Sequence, residues 1–217
     1  NTVPPESKET ENTNPEVETV LSVGEDEMSK FTVEEEIKEE DKDKMILHID
    51  PGTAFGTGMH ETTQLVIRQL KKYVKPGIEL LDVGTGSGIL GITALKLGAG
   101  HVVGTDLDPC AVPAVQDNKE ANQIVDDTFD MMIGNIIDDK EVQDQVGYEK
   151  YDIVAANILA DVLVPLTPVI VHQLKKGGIY ITSGIIDDKE QTVVEAVKAA
   201  GLEVLEVTYQ GEWVSVT

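Results

Sequence analysis

Leu80-Leu81-Asp82-Val83-Gly84-Thr85-Gly86-Ser87-Gly88-Ile89-Leu90-Gly91 is the stretch that decides the fold. A short apolar run, closed by alternating glycines and followed by helical spacing, reads as a strand, a sharp turn and a helix. Glycine is needed where the chain turns tightly or where a ligand approaches the main chain. The helix that follows aims its N-terminal amides at the same space. The next apolar run, 102–105, leads into Asp106, 22 residues beyond Gly84. An acid at that place accepts hydrogen bonds from the ribose hydroxyls of a nucleoside ligand.

Working outward, strands are expected at 79–83, 102–105, 129–133, 153–156 and 179–182, with a hairpin of 203–209 and 213–216 around Gln210-Gly211-Glu212. Helices are expected at 61–74, 88–97, 109–122, 159–174 and 189–200. Pro165 and Pro168 should kink or split the fourth of these. Residues 136–150 are polar and acidic, a surface loop or a short helix. Strands alternating with helices make right-handed parallel crossovers. The expected fold is therefore α/β, a seven-stranded doubly wound Rossmann-like sheet with a C-terminal antiparallel hairpin. Ligands of such sheets bind at the carboxyl ends of the strands, near the switch in strand order.

Two cofactors compete for the glycine loop. Gly86-Ser87-Gly88-Ile89-Leu90-Gly91 matches the dinucleotide pattern, but that pattern should begin directly after the strand, where Gly84 stands. Read from Gly84, the loop is Asp82-x-Gly84-x-Gly86-x-Gly88. An acid two residues before the first glycine suits a ligand with a cationic amino-acid end and no pyrophosphate, which describes S-adenosylmethionine. A tight turn with no ligand is the third reading.

The chain of 217 residues carries 40 acidic and 17 basic side chains, a formal charge of −23. That balance disfavours non-specific nucleic-acid binding and favours a basic partner. One cysteine, Cys110, excludes a disulfide framework and a cysteine-built zinc site. No run of about 18 apolar residues and no leader with a cleavage site is visible, so a cytoplasmic protein without membrane contact is expected. The first 44 residues hold 15 acidic and 5 basic side chains and few core candidates. They read as an acidic N-terminal segment, a tail or linker, with the globular domain at 45–217.

Upstream of the loop runs Asp50-Pro51-Gly52-Thr53-Ala54-Phe55-Gly56-Thr57-Gly58-Met59-His60-Glu61-Thr62-Thr63. Together with the glycine loop, Ala156-Asn157-Ile158-Leu159-Ala160, Ser183-Gly184-Ile185 and Glu212-Trp213-Val214, it resembles the ribosomal protein L-eleven methyltransferase family (PrmA type) from about Met45 to Thr217. The resemblance implies a class I methyltransferase fold and transfer of methyl groups from S-adenosylmethionine to lysine or N-terminal amines of a ribosomal large-subunit protein. It implies cofactor contacts at Thr63, Gly84, Gly86, Asp106 and Asn157, with Phe55 covering the cofactor. It also implies an N-terminal substrate-recognition domain, for which the 44 residues before Met45 are too few and too acidic to stand whole; they would be a linker or a remnant of it.

Methyl transfer is an in-line displacement that expels a neutral thioether, so the site must align the reacting atoms rather than protonate a leaving group. A lysine nucleophile near pKa 10.4 must first lose a proton, which burial assists. Asn157, at the end of the fourth strand, is the candidate catalytic residue; the competing role is capping the next helix. Ile158 and Leu159 follow it, offering no aromatic face for a planar base or amide, which favours an sp3 amine. His60 is read as a capping or packing residue before a proton acceptor. Trp213 is read as core, and the other histidines lack metal-ligand spacing. Competing functions are a class I methyltransferase for another protein or a small molecule, a NAD-dependent oxidoreductase, and a binding module without chemistry.

Overall fold

The computed structural model describes residues 19–23, 31–32, 45–50, 56 and 58–217. Ten strands and six α-helices are described: β1 (Thr19–Val23), β2 (Phe31–Thr32), β3 (Met45–Ile49), α1 (Glu61–Tyr73), β4 (Glu79–Val83), α2 (Ile89–Lys96), β5 (His101–Asp106), α3 (Ala111–Ala121), β6 (Phe129–Ile133), α4 (Lys140–Val146), β7 (Tyr151–Asn157), α5 (Ala160–Ile170), β8 (Leu174–Ile186), α6 (Glu190–Ala199), β9 (Val207–Gln210) and β10 (Trp213–Val216). Seven strands form one sheet in the order β6-β5-β4-β7-β8-β10-β9. The first five are parallel; β10 lies antiparallel between β8 and β9. The expected architecture stands, and its switch in strand order falls between β4 and β7.

Alternate strand residues enter cores on opposite faces, as the two-residue pleat requires. Leu80, Val102, Ile153 and Ile181 meet Val66, Leu70, Ile89, Ile92 and Val115 on the side of α1, α2 and α3. Leu81, Val103, Val154 and Ala156 meet Val142, Leu163, Leu166, Ile170 and Val193 on the side of α4, α5 and α6. The central strands are buried on both faces, which fixes them as a rigid floor under the loops at their carboxyl ends.

β1, β2 and β3 form a separate antiparallel sheet in the order β2-β1-β3. Leu47 and Ile49 of β3 join the α1-side core. Asn118 of α3 and Asn122, the residue that caps its C-terminus, take the place of a neighbouring strand along β3. Asn122 Nδ2 donates to the His48 carbonyl at 2.6 Å and Asn122 Oδ1 accepts from the His48 N–H at 3.0 Å. Asn118 pairs with both backbone groups of Asp50 at 2.8 Å. Backbone polar groups that would be orphaned at a buried edge are thus satisfied by side chains.

Three boundaries differ from expectation. α5 runs unbroken through Pro165 and Pro168 and stops at Ile170 rather than 174. Four buried side chains on its inner face, Leu163, Leu166, Thr167 and Ile170, hold it to the sheet across the two missing amide donors. β8 begins at Leu174, not 179, because Gly177-Gly178 is absorbed as an irregularity in the ladder, where the register with β7 shifts between Tyr151 and Ile153. β9 begins at Val207, not 203; Leu205 and Glu206 still bond to Thr217 backbone groups, but off the regular ladder.

Gly184 in β8 has φ +83, and a Cβ there would stand 2.4 Å from the Ile158 carbonyl oxygen. Only glycine lets β8 pass the backbone that follows β7. Gly184→Ala should lower unfolding free energy by about 1–3 kcal/mol, read as an earlier urea midpoint with unchanged slope.

Candidate functional site

Of the residues singled out in the sequence, Thr63, Gly84, Gly86, Asp106 and Asn157 converge at the carboxyl edge of the sheet, around the β4–β7 switch. Gly84 directly follows β4 with φ +73 and is exposed between buried neighbours. A Cβ on Gly84 would lie 2.6 Å from Ile158 Cγ2. Gly86, at φ +53, donates its N–H to Asp106 Oδ2 at 2.8 Å. Asp106 Oδ1 accepts from the Asp108 N–H at 2.9 Å. The carboxylate is therefore fixed at the end of β5, and each oxygen keeps acceptor capacity for a further hydroxyl.

Asn157 ends β7, paired with Ser183 of β8. Its Nδ2 donates to Thr63 Oγ1 of α1 at 3.2 Å, while its Oδ1 is buried and has no hydrogen-bond partner. The competing capping role is not taken: Leu159 is the N-cap of α5, and it makes no side-chain cap bond. An unpaired buried acceptor is costly unless a ligand donor fills it. Thr63 is itself buried on α1, which brings it beside β7. Phe55 lies outside the described residues.

Asp82 sits fully buried beneath the loop. Its Oδ2 accepts from Thr85 Oγ1 at 2.7 Å and from the Gly91 N–H at 3.3 Å; its Oδ1 has no hydrogen-bond partner. Burial pushes its pKa up to about 6, against the bonds to Thr85 and Gly91 and with help from the charge on Asp106. Asp82 braces the glycine turn from below.

Two further residues, Ser87 and Asn118, were not apparent as site residues. Ser87 Oγ donates to the Gly56 carbonyl at 2.7 Å, and Asn118 Nδ2 donates to the Ser87 carbonyl at 2.9 Å. The same Asn118 holds Asp50, so one buried amide ties the glycine loop to the end of β3. Sequence spacing carries no signal for this pairing, since Asn118 lies 31 residues from Ser87 and 68 from Asp50.

His60 is the N-cap of α1: its Nδ1 accepts from the Thr62 N–H at 3.3 Å. Its ring meets Trp213 edge-on at 4.9 Å. His60 thus caps and packs, and Trp213 is half-buried against it. Among the described residues no group of three or more His, Cys, Asp or Glu could hold a metal ion, and no helix is long and apolar enough to cross a membrane. A cleft of about 910 Å³, lined by Lys140, Tyr148, His172, Lys175 and Gly177 among others, opens where β7 and β8 begin. None of the candidate residues lines it; they lie at the other edge of the sheet.

Comparison with known proteins gives the following. A sequence model of the family "Ribosomal protein L11 methyltransferase (PrmA)" matches residues 23–217, beginning 22 residues upstream of the likeness seen from Met45. A ribosomal protein L11 methyltransferase of Agathobacter rectalis is 58% identical over 186 residues, covering 84% of this chain and 58% of that protein. One from Clostridium perfringens is 45% identical over 171 residues, covering 79% of this chain and 52% of that protein. The chain thus spans somewhat over half the length of the curated relatives it matches. A crystal structure of a ribosomal protein L11 methylase from Lactobacillus delbrueckii subsp. bulgaricus superposes with a TM-score of 0.74 at 31% identity, covering 84% of this chain and 89% of that one.

Proposed function

The chain belongs to the ribosomal protein L11 methyltransferase family, and from that premise we propose that it is an S-adenosylmethionine-dependent protein N-methyltransferase acting on lysine or N-terminal amines of ribosomal protein L11. The observation that carries the reading is the unpartnered, buried Asn157 Oδ1, beside Thr63 and at the same sheet edge as Gly84 and Asp106. That set suits a nucleoside with a cationic end. Asp106 accepts from ribose hydroxyls, the Gly84 and Gly86 backbone lies along the ligand, and Asn157 with Thr63 receives an ammonium or amine. Phe55 is the proposed cover. S-adenosylmethionine supplies an electrophilic methyl on a sulfonium centre.

The chain's own contribution is alignment. Asn157 Oδ1 accepts one N–H of the incoming neutral amine and so directs its lone pair along the transfer axis. Once nitrogen carries the methyl, the methylammonium so formed releases one of its two N–H protons to water, and burial at the end of β7 favours the neutral amine beforehand. The nicotinamide alternative is less well supported. A pyrophosphate needs amide donors, and the Gly86 N–H is already given to Asp106. The family match also favours methyl transfer over hydride transfer and over binding without chemistry. Another protein or a small molecule as acceptor is the second reading.

We read residues 45–217 as the methyltransferase domain and residues 1–44 as the linker or remnant of a recognition domain, in a cytoplasmic protein. A net charge of −23 should attract a basic acceptor. The proposal is tested by steady-state methylation of purified L11 protein at rising salt. kcat/KM should fall several-fold between roughly 50 and 300 mM salt, as steering is screened. A salt-independent value would contradict the basic-partner reading.

Replacing Asp106 should act on cofactor affinity. Asp106→Ala removes the ribose acceptor and frees the Gly86 and Asp108 amides. S-adenosylhomocysteine binding should weaken by about 1.5–3 kcal/mol in calorimetry, without loss of folding. An unchanged dissociation constant would refute the ribose assignment.

A further inference from the structure

Gly84, Gly86 and Asp106 occupy the β4–β5 half of the sheet's carboxyl edge, and Asn157 on β7 separates them from β8 and β10. The second half carries three exposed aliphatic side chains: Leu159 is 68% exposed, Val162 39% and Ile186 37%. Leu159 and Val162 share the first turn of α5, where the Val162 N–H donates to the Leu159 carbonyl at 2.9 Å. Lys189 Nζ meets Asp161 Oδ1 at 3.2 Å and ties that turn to the segment after Ile186. Ile186 pairs with Trp213, and the Asp187 N–H donates to the Glu212 carbonyl at 2.9 Å. Aliphatic groups and carboxylates therefore share one rim, and the carboxylates of Asp187, Asp188 and Glu212 are exposed along it.

We propose that this rim is the docking surface for the substrate segment that bears the amine: a basic, lysine-containing stretch whose aliphatic stems lie on Leu159, Val162 and Ile186 while its ammonium groups face Asp187, Asp188 and Glu212. Lysine matches both features, with a four-carbon stem and a charged head. Exposed aliphatic side chains set among carboxylates beside a candidate site offer an interaction surface for a partner with both kinds of group. The charge sign excludes nucleic acid and anionic lipid as occupants. The patch starts two residues beyond Asn157, so a segment seated on it delivers a side chain to the transfer point. The inference rests on the methyl-transfer reading for its choice of acceptor.

The test uses the full chain with S-adenosylhomocysteine bound, fluorescently labelled L11 protein, and two variants: the double substitution Asp187→Lys with Asp188→Lys, and Leu159→Ser. Binding anisotropy reads docking without turnover. The charge-reversed variant should bind L11 about tenfold more weakly and lose most of the salt dependence. Leu159→Ser should bind several-fold more weakly with its salt dependence intact. Thermal midpoints and S-adenosylhomocysteine affinity should match wild type, which separates docking from folding and cofactor binding. In parallel turnover, KM should rise with kcat within about twofold, as expected of rim contacts. Equal L11 affinity in wild type and both variants, or no binding by wild type, overturns the docking surface. Wild-type binding that depends on these residues, but without methylation, leaves docking standing and refutes the transfer reading instead.

Discussion

Asn157→Ala should lower kcat about 10²–10³-fold, equivalent to about 2.7–4 kcal/mol of transition-state alignment, by analogy with preorganised oxyanion-hole donors. The expectation follows from the asymmetry of the amide. Its Nδ2 is engaged by Thr63, which fixes the side chain, while its Oδ1 is buried without a partner. A fixed, unsatisfied acceptor gains most when the amine arrives, so its loss should tell on turnover more than on ground-state binding. S-adenosylhomocysteine affinity should change by less than about tenfold. Single-turnover rates at saturating cofactor give the direct reading. A variant that binds cofactor poorly yet turns over normally at saturation would make Asn157 a cofactor ligand alone.

Asp82→Asn should remove a pH-dependent part of stability worth about 3 kcal/mol. Burial raises the Asp82 pKa from 3.8 to about 6, so the folded state holds its proton more tightly than the unfolded chain. Its contribution is therefore fully present below pH 3.8 and is lost as pH rises through 6. The unfolding free energy of the variant minus that of wild type should rise by that amount between about pH 3.5 and pH 7.5. Carboxylates remote from Asp82 titrate alike in both proteins and cancel in the difference; Asp106, whose charge acts on Asp82, is the one that does not. Urea titrations of the pair across this range decide it, and a pH-independent difference would mean that folding does not raise the Asp82 pKa. Since Asp82 supports Thr85 and Gly91, the substitution also reports how far loop shape depends on that carboxylate.

The sheet was legible because the central strands are buried on both faces and so read as short apolar runs between glycine turns; the place of the switch in strand order was not. Asp106 and Asn157 each end a strand and Gly84 directly follows one, and strand ends at the switch are where a doubly wound sheet keeps its ligand. What was not legible depends on tertiary contact. The unbroken α5 is held by packing that local proline chemistry does not register. The true start of β8 was hidden by Gly177-Gly178, since glycine serves turns and bulges alike. Ser87 and Asn118 gained their roles from partners far along the chain. Asp82 was read as facing a cationic ligand; the fold instead sets it under the loop, where its unpartnered Oδ1 is sealed from solvent. The strands β1 and β2 fall within the acidic segment, where charge density masked the short apolar runs that pair with β3.

The account is tested most directly by transfer of tritiated methyl from S-adenosylmethionine into purified L11 protein by the wild-type chain and by Asp106→Ala. Label should enter the L11 band with wild type, be retained on amine nitrogen after acid hydrolysis, and fall at least about tenfold with the variant at sub-saturating cofactor. Label that enters L11 equally with both proteins, or that never enters it although S-adenosylhomocysteine binds, would contradict the assignment of this site to protein amine methylation.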